Sequence, residues 1–182
     1  TVDRRHLFAH GLEAGGYLIV FDPPASRHMS SAGAEVLASM TRGKDVLGLI
    51  SHGHEDHFDP LLRTTLKDAA SLKLVLSDDI TDMYDDIAVD GDLIVEPDEK
   101  YEFMGLEIST LMSNDLGVAF LIDIQGLRVY FGGDLALWDW PEQNEIALGF
   151  TRNYFNQALE KVAEFAPQVA FSNLDQRLQS LG

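Results

Sequence analysis

The stretch SHGHEDHFDP (residues 51–60) places three of the chain's six histidines within six positions, beside acidic side chains. The continuous apolar run DVLGLIS (residues 45–51) leads into it and has the length of a strand buried on both faces. Such a strand delivers His52 and His54 into the following loop, where side chains two residues apart can point to the same side. Gly53 between them lets the backbone bend closely around a site.

Two further potential ligands follow in the same loop, because the turn brings Asp56 and His57 back toward His52 and His54. Neutral imidazole and carboxylate oxygen are the ligands that Zn²⁺ takes where thiolate is absent, and this chain has no cysteine. A lone His-x-His is common in solvated loops, whereas four potential ligands in the order His-x-His-x-Asp-His are not. The loop therefore predicts a metal site.

Length and composition indicate an ordinary globular protein. The 182 residues are 46% hydrophobic and 24% charged, which predicts a single domain over residues 1–182. No apolar stretch approaches the roughly 18 residues that span a bilayer. The stretch TVDRRHLFAHG (residues 1–11) has no secretory hydrophobic region, so we expect a cytoplasmic location.

The charge balance narrows the choice of partners. Thirteen basic residues against thirty acidic residues give a net charge of −17. This negative field repels phosphate backbones and anionic lipid surfaces, although it also simply favours solubility. We therefore expect a small-molecule substrate and neither nucleic acid nor membrane as partner, while the oligomeric state stays open.

Hydrophobic patterning predicts alternating strands and helices first, then strands joined by turns, and finally a helix and a strand. This order suggests an α+β fold with two sheets packed face to face and helices outside, without a dividing linker. The predicted elements are strands at 17–22, 45–51 and 72–78, helices at 30–41 and 59–70, strands within 92–112, a hairpin at 117–134 that turns at Gln125-Gly126, a helix at 151–166 and a strand at 168–174.

The motif HGHEDH (residues 52–57) matches His-x-His-x-Asp-His, the signature of the metallo-β-lactamase-fold hydrolase superfamily, which this sequence resembles. The opening YLIVFDPP (17–24) resembles the family's first strand and Asp-Pro turn. The segment VYFGGDLALWDW (129–140) resembles its later hairpin strand, with Asp134 at the position of a bridging aspartate. The resemblance runs from about residue 7 to 178.

Within this superfamily, residues 113–134 look especially like a bacterial group of small members. The resemblance implies a four-layer αββα sandwich. It also implies a metal-bound hydroxide that attacks a small ester, lactone, amide or phosphoester substrate. The implied cofactor is one or two divalent ions, with zinc favoured and manganese or iron as alternatives.

The resemblance also implies roles for individual residues. His52 and His54 bind one metal, Asp56 and His57 bind a second, and Asp134 bridges the two. Asp56 has the further, catalytic role of orienting the hydroxide.

Two histidines of the family pattern are missing, since all six histidines of this chain lie at or before His57. Asn114 stands at the first position, where the family has His-x-x-Gly, and Asp115 either substitutes as an oxygen ligand or caps a turn. The stretch FSNLDQRLQSLG (171–182) resembles the segment before the family's last strand and final histidine. Either the protein continues beyond Gly182, or it lacks that strand and that ligand.

These gaps motivate a second hypothesis, a degenerate member of the superfamily that binds metal or ligand without catalysis. Other polar and aromatic features leave alternatives open. Trp138 and Trp140 either wall a substrate pocket or pack in the core. Arg177 either binds an anionic group or forms a structural ion pair. The acidic run at 77–86 is interpreted as a solvated helix start, and His10 as a surface or capping histidine.

Overall fold

The computed structural model describes residues 10–178, and the chain divides after Val95 into two compact units. Each unit has its own five-stranded sheet together with helices, which confirms the α+β class. None of the helices within residues 10–178 is both long and apolar enough to cross a bilayer.

The sheet of the first unit has its strands in chain order, β1-β2-β3-β4-β5. Strands β2 to β5 are parallel, and β1 pairs antiparallel with β2. Because the carboxyl ends of parallel strands meet at one edge of a sheet, the residues that follow β2, β3 and β4 come together there. The elements are β1 (His10–Ala14), β2 (Tyr17–Phe21), a 3₁₀ turn (Ser26–His28), α1 (Ser31–Thr41), β3 (Asp45–Ile50), α2 (Leu62–Thr65), β4 (Ser71–Ser77), α3 (Asp78–Met83) and β5 (Leu93–Val95).

Alternate side chains of the parallel strands form one core with the three helices of this unit. The burial of complete aliphatic side chains supplies most of the stabilisation, about 1.5–3 kcal/mol for each of them. The buried members of this core are Leu18, Val20, Leu37, Val46, Ile50, Phe58, Leu62, Leu66, Leu74, Leu76 and Ile80.

Two predicted helices of the first unit have different outcomes. Helix α1 is confirmed, and Ser30 is its N-cap, with its Oγ accepting a hydrogen bond from Gly33 N at 3.0 Å. The predicted helix at 59–70 is wrong in extent, since only Leu62–Thr65 is helical. The backbone beyond it forms turns, with Ala69 N donating to Leu66 O at 3.0 Å, and then bonds to a distant residue, with Ala70 N donating to Lys44 O at 2.9 Å.

The sheet of the second unit has the order β10-β9-β8-β7-β6. Strands β6 to β9 form an antiparallel meander, and β10 adds parallel to β9. The predicted turn at Gln125-Gly126 is confirmed, with positive φ of 56° and 94°, as a two-residue hairpin turn of this hand requires. The elements are β6 (Lys100–Phe103), β7 (Leu106–Met112), β8 (Val118–Ile124), β9 (Leu127–Phe131), α4 (Glu145–Phe165) and β10 (Val169–Phe171).

Helix α4 begins at Glu145 rather than at the predicted residue 151. Asn144 is the N-cap, because its Oδ1 accepts a hydrogen bond from Ala147 N at 2.9 Å. The helix ends at Phe165, and the C-cap residue Ala166 has left-handed backbone geometry. Its apolar stripe packs on β7, β8 and β9 in a second core that contains Leu111, Ala119, Leu121, Tyr130, Leu135 and Ala158, with Tyr154, Phe155, Val162 and Phe165 at its margin.

Candidate metal centre

Three imidazoles cluster in the loop that follows β3. His52 is fully buried, His57 is half-buried and His54 is exposed. The ring centroid of His52 lies 4.7 Å from that of His54 and 4.2 Å from that of His57. The loop therefore places the rings of His54 and His57 each beside that of His52, although the three differ in their access to solvent.

The carboxylate of Asp22, which follows the neighbouring strand β2, organises this loop. Its Oδ1 accepts a hydrogen bond from Ser51 N at 2.7 Å, and its Oδ2 accepts one from Ser51 Oγ at 2.5 Å. The same Oδ2 lies 2.8 Å from His57 Nδ1. Ser51 Oγ in turn lies 2.9 Å from His52 Nδ1.

This network assigns the tautomers of two imidazoles. A carboxylate oxygen only accepts, so His57 carries its proton on Nδ1. Ser51 donates its hydroxyl proton to Asp22, so Ser51 Oγ accepts the Nδ1 proton of His52. Both rings therefore have their basic lone pair on Nε2, the arrangement found when the other ring nitrogen of a metal-binding histidine is held by a carboxylate or hydroxyl group.

Asp22 is a residue of the histidine loop's hydrogen-bond network that the sequence motif alone did not single out. One ligand atom each from Asp22, His52 and His57 lies within 4.8 Å of the others, as a metal site would require. Both oxygens of Asp22 already accept hydrogen bonds, however, so we assign it to positioning the imidazoles. Its φ of 41° is left-handed, which Asp tolerates better than most residues, and the Asp-Pro turn was the available sequence signal.

Helix α3 holds the loop from the other side through Gly53. Gly53 N donates to Asp79 Oδ2 at 2.8 Å, and Tyr84 Oη donates to Gly53 O at 3.2 Å. A Cβ at position 53 would lie 2.6 Å from Sδ of the exposed Met83 side chain, so a larger residue here would displace Met83. The acidic run at 77–86 is thus more than a solvated helix start, because Asp79 bonds the backbone between two histidines.

The remaining predicted ligands lie in different places. Asp56 is half-buried in the histidine loop, and its role stays a prediction. Asp134 follows β9 in the second unit, where Asn173 Nδ2 donates to its Oδ1 at 2.9 Å. One carboxylate oxygen of Asp115 lies within 4.8 Å of one from Asp134, so the second unit brings two acidic side chains together.

Asn114, which stands where the superfamily has a histidine, has a structural role in this chain. Its Nδ2 donates to Ala136 O at 2.7 Å, and its Oδ1 accepts from Ala136 N at 3.2 Å. Both ends of the amide are therefore used to join two loops. The adjacent turn is capped by Ser113, whose Oγ accepts from Asp115 N at 3.2 Å, so the Asp115 carboxylate is not the capping group.

His10 lies on the edge strand β1, opposite Phe21. Burial lowers the pKa of its imidazole, and the nearby Asp22 carboxylate partly opposes this shift. The same strand and α1 border an almost wholly apolar cavity of about 150 Å³.

Several solved structures are similar to this chain in fold. A variant of a metallo-β-lactamase with the HARLDQ motif from Cronobacter sakazakii is 12% identical, with a TM-score of 0.55 over 88% of this chain and 68% of that one. The metallo-β-lactamase-fold protein YhfI from Bacillus subtilis is 15% identical, with a TM-score of 0.51 over 74% and 56%. The chain has the metallo-β-lactamase fold.

A variant of a flavo di-iron protein from Thermotoga maritima shares this fold, at 15% identity and a TM-score of 0.57. The match covers 90% of this chain and 47% of that one, so this chain spans about half the length of that protein. No protein-family profile and no curated protein sequence matches the chain. At these identities the likeness shows the fold alone.

Proposed function

We propose that the protein is a metal-dependent hydrolase that acts on a small ester, lactone, amide or phosphoester substrate. The observation that supports this proposal is the cluster of three imidazoles, two of which are held through Nδ1 so that Nε2 is the basic nitrogen. The proposed metal ligands are His52, His54, Asp56, His57 and Asp134.

The donor chemistry fits a divalent cation. Imidazole nitrogen and carboxylate oxygen are the ligands that zinc, manganese and iron accept, and hydrogen bonds to the distal ring nitrogen increase ligand basicity. A bound divalent metal supplies polarisation of the scissile group and activation of water. We propose one or two ions, with zinc favoured and manganese or iron as alternatives.

The protein's own residues supply orientation. Asp22 and Ser51 hold the rings of His57 and His52 in place by the bonds described above. Asp56 is proposed to orient the attacking water. A rigid loop matters here, because a ligand set that shifts by about 1 Å loses much of its catalytic effect.

The hydrogen bonds of Asn114 favour a second, non-catalytic function. Both polar atoms of its amide bond to Ala136, so Asn114 does not replace the histidine that the superfamily has at this position. A site that lacks a ligand binds metal more weakly than a site with the usual three or four protein ligands. The alternative is a protein that binds metal or ligand without turnover.

The test measures metal binding and turnover separately. We expect the metal-free protein to take up Zn²⁺ and to melt at a higher temperature with it, because a ligand that binds only the native state stabilises it. His54→Ala should reduce both effects, since His54 is exposed and its loss leaves no core cavity. His28→Ala, outside the cluster, is the matched control.

Turnover is then assayed on generic ester, lactone and phosphodiester substrates with the loaded protein. Hydrolysis that is lost in His54→Ala and kept in His28→Ala supports the enzyme. Metal binding without hydrolysis favours the alternative. Absence of metal uptake in the folded wild-type protein, with hydrolysis unchanged in His54→Ala, would overturn the proposed function.

A further inference from the structure

The second unit contains a cavity of about 530 Å³ whose wall includes Trp138 and Trp140. These are the only two tryptophans of the 182-residue sequence. Polar side chains complete the wall, among them Asp115, Gln143 and Arg177. Aromatic surface combined with a few polar groups is the usual composition of a small-molecule site.

The aromatic part of the wall is a stack of planar groups. The rings of Trp138 and Trp140 are nearly parallel, at 12°, with centroids 6.0 Å apart. The guanidinium carbon of Arg177 lies 5.4 Å from the Trp140 ring centroid. Trp138 is held by its Nε1, which donates to Asp134 O at 3.1 Å. An aromatic guest extends such a stack favourably, whereas an aliphatic guest gains only contact area.

The polar part of the wall presents hydrogen-bond acceptors. Gln143 Oε1 is buried and has no hydrogen-bond partner among residues 10–178. The amide nitrogen of Gln143 makes only a long contact of 3.5 Å to Thr151 Oγ1. A buried carbonyl without a donor is unfavourable, so this oxygen calls for an N–H or O–H group in the cavity. The Asp115 carboxylate adds a second acceptor.

The charges of the wall disfavour an anionic guest. The Arg177 guanidinium is already paired with Asp175, whose two carboxylate oxygens each lie 2.8 Å from Arg177 Nε. Asp115 is negative, and so is the net charge of the chain, at −17. A carboxylate or phosphate in this cavity would therefore face a field of its own sign.

We propose that this cavity binds a flat, uncharged aromatic ring that carries N–H or O–H donors, with the ring against the indoles and its donors on Gln143 and Asp115. That this ring belongs to the hydrolysed substrate rests on the proposed function. Ring binding itself does not, because every residue used here lies outside the histidine loop.

The test uses metal-free protein and reads tryptophan fluorescence, which comes entirely from this cavity. The probe is benzamide, a flat and uncharged ring with N–H donors. Cyclohexanecarboxamide keeps the amide without the flat ring, and benzoate keeps the ring with a negative charge. We expect a saturable change with benzamide, and binding at least about threefold weaker for each comparison compound.

Variants locate the site. Gln143→Leu retains both tryptophans and removes the buried acceptor, and Trp140→Leu removes one stacking face while Trp138 still reports. Each should weaken benzamide binding by about three- to tenfold, while Val89→Ala in the first unit leaves it unchanged. Trp140→Phe, which keeps an aromatic ring, should bind more tightly than Trp140→Leu, and circular dichroism identifies variants that do not fold.

The inference is overturned if folded wild-type protein shows no saturable response to benzamide. It is also overturned if cyclohexanecarboxamide or benzoate binds as tightly, or if folded Gln143→Leu and Trp140→Leu both bind like wild type. Benzamide binding in a protein that hydrolyses none of the substrates supports ring binding and contradicts the proposed hydrolase function. Hydrolysis without benzamide binding supports the hydrolase and contradicts ring binding.

Discussion

Asp22 is the residue on which the geometry of the histidine loop depends most directly. It accepts hydrogen bonds from the backbone N–H and hydroxyl of Ser51 and from Nδ1 of His57, although it is only 7% exposed. Hydrogen bonds to a carboxylate are stronger than those between neutral groups. The two histidine rings therefore owe their tautomers to a residue about thirty positions earlier in the chain.

Asp22→Asn tests this role, because it keeps the size of the side chain and replaces an acceptor oxygen by a donor. We expect the free energy of unfolding of the metal-free protein to fall by roughly 1–3 kcal/mol, as for a lost bond to a buried charged group. Zn²⁺ affinity should fall by about 10- to 100-fold if the proposed site is correct. Urea unfolding and metal titration measure the two effects.

Asp45→Asn is the matched control, since Asp45 accepts a hydrogen bond from Ser71 Oγ at an exposed position. Its effect should stay below about 0.5 kcal/mol. Equal unfolding free energies for the two variants would show that Asp22 contributes no more than a surface carboxylate.

Strand β9 contributes a titratable group, the phenol of Tyr130, to the buried core of the second unit. Tyr130 is 4% exposed and packs in the core of the second unit against Leu121 and Ala158. Burial raises the pKa of its phenol to about 12, because the charged form would lose its hydration. The stability of the second unit should therefore decrease at alkaline pH, where this phenol ionises.

The sign of this effect follows from proton linkage. The folded protein holds the Tyr130 proton more tightly than the unfolded chain, whose tyrosines titrate near 10. Stability is therefore complete below about pH 10 and is lost as the pH rises from there toward about 12, by roughly 2–3 kcal/mol. Denaturant midpoints measured across this range should fall less steeply in Tyr130→Phe than in wild type.

Tyr101→Phe, on strand β6 of the same sheet, controls for the loss of a hydroxyl at a half-buried position. It should keep the wild-type alkaline slope. The same slope in all three proteins would mean that Tyr130 ionises in the folded state as easily as in the unfolded chain.

The local sequence predicts the length of helix α1 correctly and that of helix α2 incorrectly. Helix α1 has Ser30 as its cap and follows its predicted range closely. Helix α2 is a single turn that continues in irregular turns to Ala69, and at its end Asp68 O and Ala70 N bond to Gly43 N and Lys44 O instead of to a further helical turn. Its start is displaced from the predicted residue 59 as well, since Leu61 is the N-cap residue and no side chain caps the helix.

At the scale of the whole molecule, the excess of acidic residues acts on stability as well as on the choice of partners. A net charge of −17 creates self-repulsion in the folded chain, which salt screens over a Debye length of about 10 Å at 0.1 M. Repulsion of this kind is spread over many side chains, so no single ion pair represents it.

We therefore expect NaCl to raise the melting temperature at neutral pH by a few degrees, on the order expected for about 1 kcal/mol in a chain of this size. Chloride is the appropriate anion, because sulfate would also strengthen apolar burial. Repeating the measurement near the isoelectric point, where the net charge vanishes, should abolish the increase. A melting temperature that falls with NaCl at neutral pH would contradict this account.

The sequence by itself determined the elements whose signals are local. The His-x-His-x-Asp-His motif after a buried strand indicated both the fold and the loop in which three imidazoles meet. The Gln125-Gly126 turn set the hairpin of β8 and β9, since positive φ at both positions favours that turn. Periodicity of two or 3.6 residues needs only neighbouring positions, so it can be read directly from the chain.

Only the tertiary structure decided the contacts between distant positions. Asp22 accepts a hydrogen bond from His57, and Asn114 donates one to Ala136. The side chain of Met83 fills the space beside Gly53. These pairings depend on which strands are neighbours and on where loops close, and short-range patterns do not contain that information. Local chemistry therefore predicted a metal site, while the packing of the strands determined which side chains hold the histidine loop in place.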